Sequence, residues 1–458
     1  MKIIADLHIH SKNSRGCSKD LDLSNLEKYA RLKGVGLLGT GDFTHPAWIE
    51  EIKKNLSDDG TGILRSASGY PFVMQTELSL VYSQGGKGRR VHNVVLAPSV
   101  DVAVQITDEL KKRGRVDYDG RPIFKISCID FTDMLMKISR DIEVIPAHIW
   151  TPWFSLFGSN SGFNSIKEAF GDQLKNIHAV ETGISSDPPM NWRLSQLDNM
   201  QIVSFSDLHS YWPWRIGREA TLFEFGEKEL AYKRIIQAIR TGEGLAGTIE
   251  VDPAYGKYHE DGHRACDVCL TPKESIALKD ICPKCKRQLT IGVHHRVEEL
   301  ADRPDGYVRP NGKPFYRIMP LSELIANVFG KGIATKRIWE EYSKITKLGS
   351  ELDVLLNVPH DSLKGVTTEK MALAIMNNRE GKVRVRPGYD GVYGVPLFEE
   401  NEREYAGPQI FFGEGAEKEE KAVKTKEKGD KDAMSADKKE RKKRETKIIG
   451  GQKGLMDF

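Results

Sequence analysis

Nowhere in the 458 residues does an apolar run approach the roughly 20 residues that cross a bilayer as a helix. The chain also opens straight into a strand-like pattern, without a charged and then apolar leader. Both absences predict a cytoplasmic, intracellular protein. Cysteine is scarce: there are six, four of them in two C-x-x-C pairs, with Cys17 and Cys128 alone. That spacing argues against a disulfide framework and for metal ligation in a reducing compartment. Charge of one sign is not in excess either, since 68 Lys and Arg face 65 Asp and Glu. A net charge of +3 announces no nucleic-acid partner through the bulk field, so any such contact must come from local patches. The hydrophobic share of 39% suits a soluble globular protein, and the length predicts roughly two to four domains.

What is present begins at the first residues. Ile3, Ile4 and Ala5 form an apolar run, followed at once by Asp6-Leu7-His8-Ile9-His10. Alternate side chains of a strand share a face, so His8 and His10 point the same way and can hold one metal ion, with Asp6 near enough to help. Residues 22–33 then read as an amphipathic helix through Leu23, Leu26, Tyr29, Ala30 and Leu32, ended by Gly34. A buried strand at 35–39 empties into Thr40-Gly41-Asp42-Phe43-Thr44-His45. Further apolar strands at 72–80 and 91–96 carry Glu77 and His92. Those at 142–148, 177–182 and 201–209 end in polar residues, the first in His148 and the last in Asp207-Leu208-His209. Strands alternating with helices, with polar side chains at their C-terminal mouths, predict a barrel-like α/β enzyme. The mouth would gather His8, His10, Asp42 or His45, Glu77, His92, His148, Asp207 and His209 into a multinuclear metal site.

These motifs resemble those of the PHP (polymerase and histidinol phosphatase) superfamily. The resemblance covers about residues 1–250 and implies a distorted seven-stranded β/α barrel that hydrolyses phosphoesters with up to three divalent ions. It implies that Glu77 bridges two ions, that His8, His10 and Asp207 complete one, and that His92 and His148 complete another. Asp42 and His209 would hold the third. Glu77, Asp207 and His148 are thereby the expected catalytic residues. Where many members read T-D-H this chain has Thr40-Gly41-Asp42, so Asp42 replaces a histidine ligand and His45 competes with it. Where many have an aspartate shortly after the second histidine, this chain has Cys17. Clustered divalent ions lower the pKa of a bound water and stabilise charge on both oxygens of the displaced phosphodiester. Such ligands suit zinc or manganese, with magnesium a further option.

Two aromatic loops flank these ligands. Trp150, Trp153 and Phe154 follow His148, and Tyr211, Trp212, Trp214 and Arg215 follow His209. Rings this dense beside a phosphate-cutting site can stack on an unpaired base, or can simply pack long loops. At 251–300 the character changes. Cys266-x-x-Cys269 and Cys282-x-x-Cys285 predict a structural zinc ribbon, and Arg264, Lys284, Lys286, Arg287 and the His294-His295-Arg296 run beside it are candidates for DNA-backbone contact. Residues 301–400 read as a helical DNA-binding domain. Its helices are marked by Leu321, Leu324, Ile325 and Val328; by Ile338, Trp339, Tyr342 and Ile345; by the Ser350-x-x-Asp353 cap; and by a run at 368–378. A charge-mixed, disordered linker is expected over 401–447.

A PHP barrel, then paired C-x-x-C motifs, then helices, resembles the endonuclease Q family over about residues 1–400. That resemblance implies a DNA repair enzyme, nucleoid-associated and monomeric, that nicks on the 5′ side of uracil, hypoxanthine, xanthine and abasic sites. At residues 448–458, Gln452, Leu455 and Phe458 are spaced i, i+3, i+6. They resemble the peptide by which repair proteins dock on the sliding clamp (PCNA), carried here on a flexible tether. The rival readings are a histidinol-phosphatase-like phosphomonoesterase, which needs no zinc ribbon, and a non-catalytic DNA-binding protein.

Overall fold

A computed structural model describes residues 1–226 and 230–397. The expected linker and clamp peptide lie outside the described residues. The strands nearest the site are β1 (Lys2–Asp6), β2 (Leu37–Gly39), β3 (Pro71–Gln84), β4 (Lys87–Ala97), β5 (Glu143–Pro146), β6 (Ala179–Glu181), β7 (Gln201–Val203), β8 (Ala220–Glu224) and β9 (Leu245–Glu250). β1, β2 and β3 run parallel, with Ala5 opposite Leu37 and Leu38 opposite Phe72. β4 returns antiparallel to β3, and β5 runs antiparallel to β4. On the other edge of β1, β8 and then β9 are antiparallel.

The fold is therefore mixed α/β around a central sheet. That sheet has eleven strands among the described residues. β6 and β7 form a separate parallel pair. Gly85 and Gly86 have φ of 60° and 74°, which suit a tight hairpin turn that twists with its strands. The two predicted strands around them therefore grow into one long hairpin.

Alternation decides what each strand face buries. Ala5, Leu37, Val73, Val94, Ile145, Ala179, Val203 and Phe223, one from each of β1 to β8, meet in a single buried cluster. The larger core lies on the outer faces, under α1 (Leu23–Lys33), α2 (Pro46–Asn55), α3 (Val100–Lys111) and α4 (Cys128–Ile138). α1 forms where its apolar spacing predicts. Asp22 caps its start by accepting from Asn25 N, and Gly34, at φ 96°, closes it. Lys33, in its last turn, is buried; its Nζ donates to Glu351 (2.6 Å) and to the carbonyl of Pro213 (2.8 Å).

After β9 come α5 (Val293–Leu300), α6 (Leu321–Phe329), α7 (Lys336–Ile345), α8 (Glu351–Leu356) and α9 (Glu369–Arg379). Ser350 caps α8 by accepting from Asp353 N, as its spacing predicts. A short helix at His360–Lys364 is additional. Leu321, Leu324, Ile338 and Ile375 share one buried cluster with Ile9 and Leu26.

Candidate metal centre

Beyond β1 the chain stays extended, and Ile9 bridges to Leu208, which sets His8 and His10 beside Asp207. Leu7 and Ile9 are buried in apolar cores, and the two imidazoles turn to one point, both Nε2 atoms facing the Glu77 carboxylate. Three site residues turn sharply at their strand ends: Asp42, His148 and Asp207 have φ of 41°, 30° and 47°. Such left-handed conformations are unfavourable for non-glycine residues and concentrate at functional sites. Gly41, at φ 70°, lies so near the backbone of His10 that an added Cβ would come within 3.1 Å of its carbonyl carbon. This is the physical demand behind a glycine in the Thr40-Gly41-Asp42 turn.

Glu77, fully buried on β3, faces both histidine groups. Its Oε2 lies 3.2 Å from His10 Nε2 and 3.6 Å from His8 Nε2. Asp207 Oδ1 closes that first group, 3.1 Å from His10 Nε2 and 3.6 Å from His8 Nε2. The other oxygen, Oε1, lies 2.6 Å from His92 Nδ1 and 3.2 Å from His148 Nε2. In each group the ligand atoms lie within 4.8 Å of one another. His8 Nε2 is buried without a hydrogen bond, its neighbouring carboxylates standing 3.6 Å away, as a ring nitrogen stands when it faces a cation site.

The far nitrogens are held. His8 Nδ1 donates to both oxygens of Glu181, at 2.9 and 3.0 Å, and Glu181 also accepts from His148 N at 2.7 Å. His10 Nδ1 donates to Asp42 at 3.0 Å. A carboxylate on the far nitrogen fixes the tautomer and raises the basicity of the ligating one. Burial disfavours charge on His8, but Glu181, Glu77 and Asp207 overcome it and lift its pKa well above the usual value. Burial likewise opposes charge on Glu77, yet His92, Arg121 and His8 hold it well below the carboxylate range. His92 goes the other way, pushed down to about 4 by burial, and so keeps a free lone pair. Carboxylates this close hold positive charge on His8, His10 and His148, a place that divalent ions can take, and the residues present fit them.

The remaining expected ligands stand differently. Asp42 lies outside both groups, its oxygens occupied by His10, by Ser11 N (2.7 Å) and Oγ (2.6 Å), and by Ser14 Oγ (2.9 Å). His209 lies at 4.7 Å from His10 with the rings tilted and Nδ1 on the Asp207 carbonyl, and His45 stands at the N-cap position of α2 without a side-chain capping bond; neither joins a ligand group among the described residues. Asp6 faces the backbone instead, accepting from Ser206 N and Gly217 N at 3.0 and 2.9 Å. The Cys17 thiol, pushed up by burial beside Asp42 and Asp207, stays protonated.

Two residues without a motif join the site. Glu181 ends β6 as the other candidates end their strands, and that position was its only signal. Arg121 reaches Glu77 Oε2 at 3.0 Å from a loop that closes over Asp42, where any side chain at Gly120 would collide with that carboxylate.

Comparison with known proteins decides the family. The chain matches a crystal structure described as the novel lesion-specific endonuclease PfuEndoQ from Pyrococcus furiosus. Identity is 30% and the TM-score 0.77, covering 90% of this chain and 100% of that one. It matches endonuclease Q in complex with a 27-mer duplex carrying an abasic lesion at the active site, at 32% identity and TM-score 0.78, over 87% and 98% of the two chains. The chain belongs to the endonuclease Q family. Within this endonuclease Q relative, residues 320–382 match a family described as the MJ0043 C-terminal domain. The uncharacterised protein MJ0043 of Methanocaldococcus jannaschii is 35% identical over 269 residues, 57% of this chain, and the match spans 33% of that protein's length.

In this endonuclease Q chain the aromatic residues divide. Trp150 is core, not a base contact: it is 1% exposed and its Nε1 donates to Asn191 at 2.8 Å. Phe154 lies against His92 at 4.8 Å, while Trp153 is 38% exposed at the rim. Trp212 and Trp214 stack on each other at 5.2 Å and meet Trp339 of α7 at tilted angles, and Tyr211 stacks on Tyr29 of α1. Arg215 lies over Tyr393. Tyr211, Trp212 and Trp214 thus join the loop after His209 to α1 and α7.

The thiolate group is also rearranged. Cys266, Cys282 and Cys285 gather with His263, whereas Cys269 lies outside the group. Asp267, at φ 50°, swings the chain into the strand Val268–Leu270, where Cys269 pairs with Gly262 and is buried. Burial pushes its thiol up to about 12, and His263 Nδ1 stands 3.4 Å from Cys285 Sγ in its place.

Proposed function

We propose that this chain is a metal-dependent DNA endonuclease that cuts the phosphodiester 5′ to damaged nucleotides: uracil, hypoxanthine, xanthine and abasic sites. The observation that carries the reading is the single Glu77 carboxylate facing two histidine groups, one per oxygen. Its family relative bound to an abasic duplex supports the choice of DNA as substrate.

His8, His10, Asp207 and Glu77 Oε2 would hold one ion, and His92, His148 and Glu77 Oε1 a second. Divalent ions bound there supply an activated water and neutralise charge on the phosphodiester. The chain's own residues do the rest. Glu181 and Asp42 keep His8 and His10 aimed into the site. Arg121, a quarter exposed, is placed to take a phosphate oxygen when Glu77 is engaged by ions. Trp153 is the ring free to meet a base. The strands β1 to β8, sharing one buried cluster, fit a PHP barrel. His209 and Asp42 remain the nearest groups to any third ion.

The residues around 251–300 would hold one structural zinc, and the helices after 301 would flank the duplex. Gln452, Leu455 and Phe458 would reach a sliding clamp on the linker. Among the described residues no helix is long and apolar enough to cross a membrane. The deciding experiment incubates the protein with duplexes that each carry one altered base, in zinc, manganese or magnesium, and maps the cut. Nicks 5′ to the lesion are expected. Faster hydrolysis of a phosphomonoester than of any duplex would instead favour the small-molecule phosphatase reading.

A further inference from the structure

Three groups away from the barrel mouth and from the thiolates converge where α5 meets the segment before it. His294, in the first turn of α5, places Nδ1 3.1 Å from Glu260 Oε1. His259 Nε2 lies 3.9 Å from the same oxygen, and the two rings stack at 5.5 Å. One atom from each residue lies within 4.8 Å of the others. Glu260 is 7% exposed, yet its Oε2 has no hydrogen-bond partner, and neither has the buried Nδ1 of His259. A plain His294–Glu260 ion pair would leave Glu260 Oε2 unsatisfied, whereas a cation held by the carboxylate can engage it.

The frame is built closely. His294 N donates to His259 O at 3.0 Å and Val293 N to Tyr258 O at 2.8 Å, an approach that only Gly292 permits, because a side chain there would collide with the backbone of 259–260. His294 Nε2, the far nitrogen, faces Glu298 Oε1 at 3.7 Å, and Glu298 is held by both terminal nitrogens of Arg193. This repeats the carboxylate–imidazole order seen at His8 and His10.

We propose that His259, Glu260 and His294 form a further divalent-cation site. Two imidazoles and one carboxylate select a borderline ion such as zinc, cobalt or nickel over calcium or magnesium, which prefer all-oxygen shells. The half-exposed His294 leaves a side open for solvent as a fourth ligand. An ion there pins the segment that carries Tyr258, whose ring lies 5.8 Å from Trp153, and so stiffens the rim of the nuclease mouth.

The test is metal content of the full chain after equilibration with zinc and removal of loosely held ion. Glu260→Gln and His294→Ala should each retain one equivalent less than the parent. Cys282→Ser should lose a different one, so that Cys282→Ser with His294→Ala loses two. In cobalt-loaded protein the near-ultraviolet thiolate band should survive Glu260→Gln and His294→Ala and vanish in Cys282→Ser. His294→Ala keeps a half-exposed helical position helical, and should melt with the parent when both are stripped of metal. Equal zinc in the parent and both single variants overturns the site. So does a loss that takes the thiolate band with it.

Discussion

Arg121 and Glu77 share one carboxylate oxygen with two histidines: the guanidinium Nη1 lies 3.0 Å from the Oε2 that faces His8 and His10. Burial opposes charge on Arg121, but Glu77 and Asp207 keep it firmly protonated. Arg121→Ala should lower single-turnover nicking by about 10²-fold, the scale of losing one donor to a developing oxyanion. Arg121→Lys should recover only part, since the bidentate fork is lost. Quench-flow on one lesion duplex, with ion content measured alongside, checks this; a fall explained entirely by lost metal would contradict it.

Glu181 touches His8 through its side chain and His148 through its backbone. Glu181→Gln keeps the shape but cannot accept as a carboxylate on the His8 side. Metal affinity or nicking should drop by about 10–100-fold, as when an outer partner of a metal-ligating histidine is removed. Glu77→Gln should be more severe, because both ions lose their shared ligand. Calorimetric metal titration of the three proteins should rank parent, Glu181→Gln and Glu77→Gln in that order.

His263 and Cys269 compete for the fourth place beside Cys266, Cys282 and Cys285. His263→Ala should reduce zinc retention, and Cys269→Ser should leave it unchanged. The opposite ranking would restore the four-cysteine arrangement that the C-x-x-C spacing predicts.

Trp150 and Trp153 are three residues apart and should behave oppositely. Trp150→Ala should destabilise by about 3–5 kcal/mol, the range for emptying an aromatic from a core. Trp153→Ala should alter stability by no more than about 0.5 kcal/mol. It should weaken binding to a lesion duplex by about 1–3 kcal/mol if its ring stacks on a base. Thermal melts and fluorescence anisotropy separate the two.

A buried acid pair beneath the site should make stability depend on pH. Burial pushes Glu250 up to about 8, and burial with the Glu250 charge raises Glu219 well above its ordinary value. Glu250 Oε2 accepts from Ser204 and Thr182, at 2.9 and 3.1 Å. Below the ordinary value of 4.5 both folded and unfolded chains keep the Glu250 proton. Between 4.5 and about 8 only the folded chain does, so its contribution is lost as pH rises through that window. The loss is on the order of a few kcal/mol. Glu250→Gln should melt with a smaller decline between pH 5 and pH 8.5 than the parent.

Much of this protein is written in local pattern. Period-two alternation puts His8 and His10 on one face whatever surrounds them, and the same rule places Glu77 and His92 at adjacent strands. Asp22, Gly34 and Ser350 mark helix ends because orphan backbone groups need local partners. These features were legible because each is decided within a few residues.

What only the tertiary structure decided lies between distant segments. Glu181 meets His8 across 173 positions, Arg121 meets Glu77 across 44, and Asp42 turns to His10 across 32. Asp42 reads in sequence as a metal ligand, yet two serines and an imidazole nitrogen occupy its oxygens. The four cysteines read as equivalent until the turn at Asp267 buries Cys269 and brings in His263. Trp150 and Trp153 look alike as residue types and differ only in which one Asn191 and the core enclose. Local chemistry names the groups able to bind an ion or a base; the path of the chain determines which nitrogen, oxygen or sulfur is left without another partner.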